Sequence, residues 1–586
     1  MRAFALAIVW LVACGPTGRN NGDDTTGDGG SVCPANGTYC VGNDVYQCNS
    51  TGTDGTLSMS CPADMACSNG ACKTPCQAAE DHPSNVGCDF WAVDLDNEAF
   101  NLLGASNDAA AQQFSVVSAN DNDYAVTVTV TKNAAKVGQA LAETQVVMVT
   151  VPPKTASRID LPQREVDGSM QQNGTYAQNS GSGTFVSPHG YHVLASGPVV
   201  VYQFNPIVQQ FSNDASTLIP KQALGNDYIV LGYPTANPCG NTMFPMPSIP
   251  DHTSVTIMAD QDNTTVTINP THPITASAGD SGIPIARTAK GTPLVLTINR
   301  YTVVNLESDQ ITSADPFGCI NTGQDGDFTG TEVKSDKPVA VFSSAERGIG
   351  FGGAPNVVYP PDWDMMTDDI CCTDHLEEQM FPVTALGQEF AIARSPIRST
   401  DPTWTEPDIV RVVGTVDGTT ITTNLPAPFD AFTINRAEKK TFAATKGFTL
   451  VASNAVEVGS FLVSQHFVKH GYIGDPSQIT LPAAEQFRKE YVFFVPSTFQ
   501  DNYIVIAKPT TAAIVLDGAP LMGTCTSGPI GTVGAVDYDQ ITCKLPEGHH
   551  LVSADMPFGL SVYGYYNVGS YAFVGGSDIK IINPIL

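Results

Sequence analysis

Four stretches of this chain end in the same way, and that recurrence limits the fold more than any other feature. They are Gly190 followed by YHVLASGPVVVYQF, Gly330 by TEVKSDKPVAVFSS, Gly447 by FTLVASNAVEVGSF, and Gly548 by HHLVSADMPFGLSVYG. Each reads as a glycine, an alternating strand, a Ser-centred turn, often a proline, and a last strand with small or apolar residues at every second position. A period of two gives one buried and one solvated face, the mark of antiparallel sheet. Proline at the start of the last strand is allowed, because its missing N–H falls at the strand's edge.

The openings match as well. An aromatic residue leads a β-rich run at Phe114, Tyr228, Phe390 and Tyr491, and a second strand follows from Ala125, Ser254, Ile409 and Tyr503. In the middle two stretches an Asp-rich turn leads to a third strand, DQDNTTVTI at 260–268 and TVDGTTITT at 415–423. Asp-Asn and Asp-Gly suit hairpin turns because they tolerate positive φ. Four related units are therefore expected at about 113–205, 226–346, 388–466 and 489–566, each sized for a small β-sandwich. Composition agrees, since 52 glycines, 41 prolines and only 15% charged residues suit short strands and turns rather than long surface helices. The fold class read here is all-β: tandem sandwich-like units within 77–586, preceded by a small disulfide-rich module.

That module spans 33–76. Cys33, Cys40, Cys48, Cys61, Cys67, Cys72 and Cys76 crowd it, and Cys88 follows. Tyr39, Val45, Tyr46 and Met65 are among its few sizeable apolar groups, too little core to fold without cross-links. A zinc reading of Cys67, Cys72 and Cys76 fits no common finger spacing, so disulfides are favoured.

The N-terminus carries one cation, Arg2, and an apolar run over 3–13 that is too short to span a bilayer, which needs ~20 residues. Leu11, Val12, Ala13 and Cys14 resemble the bacterial lipobox. The resemblance implies cleavage after a 1–13 signal peptide and acylation of Cys14. Residues 14–32 hold almost nothing apolar and read as a disordered tether. Of 15 cysteines, removing Cys14 leaves an even number for an oxidising compartment. Cys525 and Cys543 should close a loop. Cys239 and Cys319 with the vicinal Cys371 and Cys372 could make two bridges.

The segments GPVVVYQFNP (197–206), DKPVAVFSS (336–344), CCTDHLEEQMFPV (371–383), GDPSQITLPAAEQF (474–487) and PFGLSVYGYYNVGSYAFVGG (557–576) resemble the IgGFc-binding protein N-terminal domain family. The resemblance covers roughly 85–580. It implies an extracellular β-rich binding or adhesion region and carries no catalytic motif. The chain departs from the vertebrate pattern, because its cysteine module sits at the front and no mucin-type repeats follow.

Chemistry-bearing motifs are sparse. Acids outnumber bases 58 to 28, a net charge of −30 that repels nucleic acid. The GxGxxG at Gly348, Gly350 and Gly353 leads into prolines instead of a helix, so it is no dinucleotide site. There is no GxSxG, HExxH or P-loop. His466 and His470 have a metal-like spacing on a strand end, and His549 and His550 would point to opposite faces. Acidic turns are better candidates for Ca²⁺, a hard cation. They are Asp94, Asp96 and Asn97; Asp260, Asp262 and Asn263; and Asp325 and Asp327. No other cofactor is expected.

The function expected is a lipid-anchored binding or adhesion protein of the bacterial envelope, outer membrane by the Gly15 that follows Cys14, with no catalysis. Its partner would be a glycan or a cell-surface or matrix protein. The alternatives are a secreted polysaccharide hydrolase, whose paired carboxylates carry no fixed spacing, and a purely structural envelope or matrix protein.

Overall fold

The computed structural model describes residues 33–98, 109–168, 171–172, 175–176, 183–208, 212–236, 239, 250–310, 326–348, 354–361, 373–471, 473–521 and 525–584. Cys14 with the 1–32 leader, Cys319, Asp325, Cys371 and Cys372 lie outside the described residues. The chain divides into two compact units at His82 and Pro83. Among the described residues no helix is long and apolar enough to cross a membrane.

The first unit is held by cross-links. Strands Thr38–Val41, Asp44–Cys48 and Gly55–Ser60 form an antiparallel sheet, and Ala66–Ser68 pairs with Ala71–Lys73. The last hairpin turns on Asn69 (φ 47°) and Gly70 (φ 71°), the pair of left-handed residues that a type I′ turn demands. Disulfides join Cys33 to Cys48, Cys40 to Cys67 and Cys61 to Cys72. Cys67 and Cys72 are thus bridged to separate partners, which removes the zinc alternative. Among the described residues of this unit Val45 is the one buried apolar side chain besides cysteine, so the bridges do the work of a core. A short helix, Pro75–Glu80, is started by a capping box between Thr74 and Gln77. Cys76, Cys88 and Cys239 are also disulfide-bonded.

The described residues from Pro83 onward are nearly all β, in four large antiparallel sheets of seven, eight, seven and eight strands. Each sheet is built on one long strand: Tyr191–Asn205, Glu332–Gly348, Phe448–Leu462 and Gly548–Tyr566. These are the four recurring endings, with one difference. The Ser-centred turn expected in each is a β-bulge, and the strand runs through it without reversing. A bulge bends a strand and raises its twist without breaking the ladder. The two halves of each long strand therefore serve different layers, as strands at sandwich corners do.

The pairing is the same in all four. The first half of Tyr191–Asn205 pairs with Gly87–Ala92 and Val126–Asn133; its second half pairs with Ser115–Asn120 and Asp214–Thr217. In the second sheet Gly225–Ile229 and Thr264–Asn269 flank the first half, and Thr253–Ala259 and Asp374–Gln379 the second. The third and fourth sheets repeat this. The Asp-rich turns at 260–263 and 415–418 thus join strands that pair with opposite halves of one neighbour, so they cross between layers and close no hairpin. The outer strands Gly87–Ala92, Asp214–Thr217, Asp374–Gln379, Gln478–Leu481 and Gly569–Val574 fall outside the unit ranges read from sequence.

The sheets close on one another. Thr131 Oγ1 meets Tyr301 Oη at 2.6 Å between the first and second, and Arg411 Nη1 donates to Asp327 Oδ2 at 2.7 Å between second and third. Asn424 Nδ2 donates to Ile530 O at 2.7 Å between third and fourth, and Tyr202 Oη to Val492 O at 2.8 Å between fourth and first. Asn85 N donates to Ser577 O, which ties the two ends of this unit together.

The buried closing strands Asp214–Thr217, Asp374–Gln379, Gln478–Leu481 and Gly569–Val574 meet at the centre. Between sheets the chain passes through single 3₁₀ turns, Lys221–Ala223, Val383–Ala385 and Ala484–Gln486. Gly225 backs onto Pro382 and Gly387 onto Ala483 so closely that a Cβ at either would overlap its neighbour. Cys525 and Cys543 are bridged across the fourth sheet.

Candidate functional site

The extended segment 94–97 runs beside 164–167. Arg164 N donates to Asp94 Oδ2 at 2.7 Å, and Val166 N to Asp94 O at 3.1 Å. Because side chains alternate along extended chain, this pairing brings Glu165 and Asp167 to Asp96. One carboxylate oxygen from each of the three lies within 4.8 Å of the others. Glu307, on Val303–Glu307, and Glu346, on Glu332–Gly348, make an equally tight group with His252. Glu307 touches Asp96, which joins the two groups.

All six side chains are buried. Glu307 is held by Gly183 N at 2.7 Å and Asn305 Nδ2 at 3.3 Å, and a Cβ on residue 183 would overlap its carboxylate. His252 Nδ1 lies 2.6 Å from the Ser308 carbonyl and so donates to it, which fixes the ring. The Arg347 guanidinium lies beside the cluster but is committed to Asp251 at 2.8 Å and Glu98 at 3.3 Å. Burial drives the Asp96 and Glu346 carboxyls well above the usual carboxylate range, and the neighbouring charges of Asp167 and Glu307 push the same way. Burial also raises Asp94 to about 7.

The other acids named from sequence are not brought here. Asp260 Oδ1 accepts from Trp91 Nε1 at 3.2 Å, and Oδ2 lies 3.0 Å from Lys221 Nζ. Trp91 stacks on His192 at 4.4 Å and meets Tyr301 edge-on at 4.8 Å, so Asp260 is part of the packing between two sheets. Asp262 Oδ1 accepts from Arg300 N in a turn. Asp327 Oδ1 accepts from Thr329, and Oδ2 meets Arg411 and Lys439, so both oxygens are in use. Among the histidines, His550 bonds Asp517 Oδ2 at 2.8 Å and Pro546 O at 3.0 Å. The His466 side chain and residues 349–353 lie outside the described residues.

Sequence reasoning named Asp94 and Asp96 and missed Glu165, Asp167, His252, Glu307 and Glu346. A signal existed for the first two: acids two apart at 165 and 167 mirror those at 94 and 96. The other three belong to strands far away in sequence and carry no local pattern.

A second set of acids sits where the closing strands meet. Asp214 Oδ2 accepts from Glu377 N at 3.1 Å and Gln478 N at 3.0 Å, and Oδ1 from Ser477 Oγ at 2.6 Å. Glu378 accepts from Ser216 Oγ at 2.6 Å and Thr480 N at 3.1 Å. Asp374 accepts from Ser570 N at 3.0 Å. These carboxylates fasten four sheets by accepting hydrogen bonds from backbone N–H groups and serine hydroxyls, and each is shut away from solvent. The depression lined by Asn85, Thr217, Glu378 and Ser577 has room for about one water molecule, too little for a sugar.

The surface offers a different feature. The nine-residue strand Glu143–Val151 pairs, among the described residues, only with Val126–Asn133. Among the described residues no strand covers its far edge, and an open edge is a template for a further strand. Met148 is 55% exposed and shares a row with Thr129 and the exposed Leu194.

The profile of a family described as IgGFc binding protein matches residues 214–564, from the closing strand of the first sheet through the long strand of the fourth. No curated protein and no solved structure matches the chain significantly. With a match across more than half of its length, this chain belongs to the IgGFc-binding protein family.

Proposed function

We propose that this chain is a lipid-anchored binding and adhesion protein of a bacterial cell surface, with no catalytic activity. Membership in a binding family, over 214–564, is the observation that carries this reading. The disulfides at Cys33, Cys40, Cys61 and Cys525 fit an oxidising, extracellular setting. The lipobox-like Leu11 to Cys14 would supply the anchor and residues 15–32 the tether. A multiply acylated terminus holds a membrane firmly where a single chain does not. The four sheets, with their common pairing, act as copies of one unit.

The partner is a cell-surface or matrix protein or a glycan. A protein partner would add a strand at the open edge of Glu143–Val151, where main-chain hydrogen bonds give affinity and alternate side chains give specificity. A hydrolase is disfavoured, because the acids with raised pKa are closed inside hydrogen-bonded strands. The anchor is tested by cell fractionation. The Cys14→Ser chain should leave the membrane fraction, and retention there would refute the anchor.

A further inference from the structure

We propose that Asp96, Glu165, Asp167 and Glu307 form a buried site for one hard divalent cation of the Ca²⁺ class, with Glu346 and His252 at its rim. Five carboxylates lie within one buried pocket of side chains. Moving ionised carboxylates out of water is prohibitive unless they are paired or coordinate a metal. The Arg347 guanidinium, whose charge acts on Glu346, is shared with Asp251 and Glu98.

A second observation is independent of the count. Asp96 Oδ2 is buried, in a side chain only 3% exposed, and meets no hydrogen-bond donor among the described residues, its neighbour Glu307 being a second carboxyl. It belongs to the group whose oxygens converge within 4.8 Å. An oxygen left bare in the interior normally forfeits free energy, so its retention calls for a ligand that is missing from the protein itself.

The donor set selects the ion. The Asp96 group is all oxygen, as Ca²⁺ requires, and Ca²⁺ tolerates irregular geometry. The supports resemble those around metal ligands: Gly183 N holds one Glu307 oxygen, and the Ser308 carbonyl fixes the His252 ring. The site joins the 94–97 segment, the 164–167 segment and two strands of the second sheet. A bound cation would therefore clamp the first sheet to the second.

The test uses the folded full chain, stripped with chelator and titrated calorimetrically with CaCl₂, MgCl₂ and MnCl₂ in turn. We expect saturable one-to-one Ca²⁺ uptake that raises the melting temperature. Asp96→Asn and Glu307→Gln should each weaken uptake by about tenfold or more. Asp262→Asn, in an exposed turn, should leave it unchanged. Hydrogen exchange on the unmodified chain keeps the test decisive if those variants do not fold, since added Ca²⁺ should protect 94–97, 165–168 and 305–308 together. No saturable uptake of any of the three ions, or uptake that protects other segments instead, would overturn the proposal.

Discussion

Arg411 Nη1 lies 2.7 Å from Asp327 Oδ2, and both side chains are buried at the seam between the second and third sheets. The guanidinium also stacks over Tyr233 at 5.3 Å and donates to Thr329 Oγ1 at 3.0 Å. Burial alone would raise the Asp327 pKa. Arg411 and Lys439 overcome it and hold the carboxyl below its usual range.

Removing one partner of such a pair strands the other charge. Arg411→Met should destabilise the 83–586 unit by about 3–5 kcal/mol. The double variant Arg411→Met with Asp327→Asn should recover part of that loss. Urea unfolding measures both, and a single-variant loss below about 1 kcal/mol would mean that the pair is solvated.

The central carboxylates give stability an unusual pH dependence. Burial raises Asp214 and Glu378 to about 8, despite hydrogen bonds that favour their charged forms. The folded state then holds protons that the unfolded chain has released. Such groups stabilise below the unfolded pKa and lose that contribution as pH rises to 8. Burial has the opposite consequence for His189 and His375, lowered to about 4 and about 3, whose contribution is lost as pH falls below 6.5. Between pH 6.5 and 8 these two histidines are neutral in both states and the raised carboxylates set the slope. Stability should fall there by up to about 1.4 kcal/mol per pH unit for each group. Melting curves across that window check it, and Asp214→Asn should flatten the slope.

Gly387 lies against Ala483 with no room for a side chain. Gly387→Val should push the 3₁₀ turn Ala484–Gln486 off the first strand of the third sheet, at a cost of about 1–3 kcal/mol. Gly418→Ala, in an open turn at φ 70°, should cost less. Thermal unfolding of the two variants side by side would reveal whether the close approach matters.

Cross-links, with almost no apolar core, hold the 33–82 unit. Mild reduction should expose Cys33, Cys40, Cys48, Cys61, Cys67 and Cys72 to alkylation and make that unit protease-sensitive first. The 83–586 unit, with its own apolar cores, should resist. Stoichiometric labelling of those six cysteines before reduction, under denaturing conditions, would contradict the disulfides.

Much of the fold was legible because it lies in local pattern. Period-two alternation marked the long strands, and the four shared endings located them. The bulges were misread as turns, because Ser196, Ser335, Ser453 and Ser553 satisfy turn propensity and only pairing on both flanks keeps the strand extended. The 3₁₀ linkers had a signal that went unused: PKQALG at 220–225 and PVTALG at 382–387 are nearly the same text. The acid cluster was half legible. Asp96 stood out in a local motif, whereas Glu307 and Glu346 meet it only through sheet packing, which leaves no trace in sequence spacing.

The central claim is that this is a surface-binding protein. Its most direct test is a binding screen of the Cys14→Ser chain, shown to be folded, against glycan and cell-surface protein arrays, with Ca²⁺ and with chelator. The account predicts a saturable partner. A protein partner should be lost on Met148→Lys or Val147→Pro in the open edge strand, with the fold retained. A blank on both arrays from the folded chain, in either condition, would contradict it and favour a structural role in the envelope.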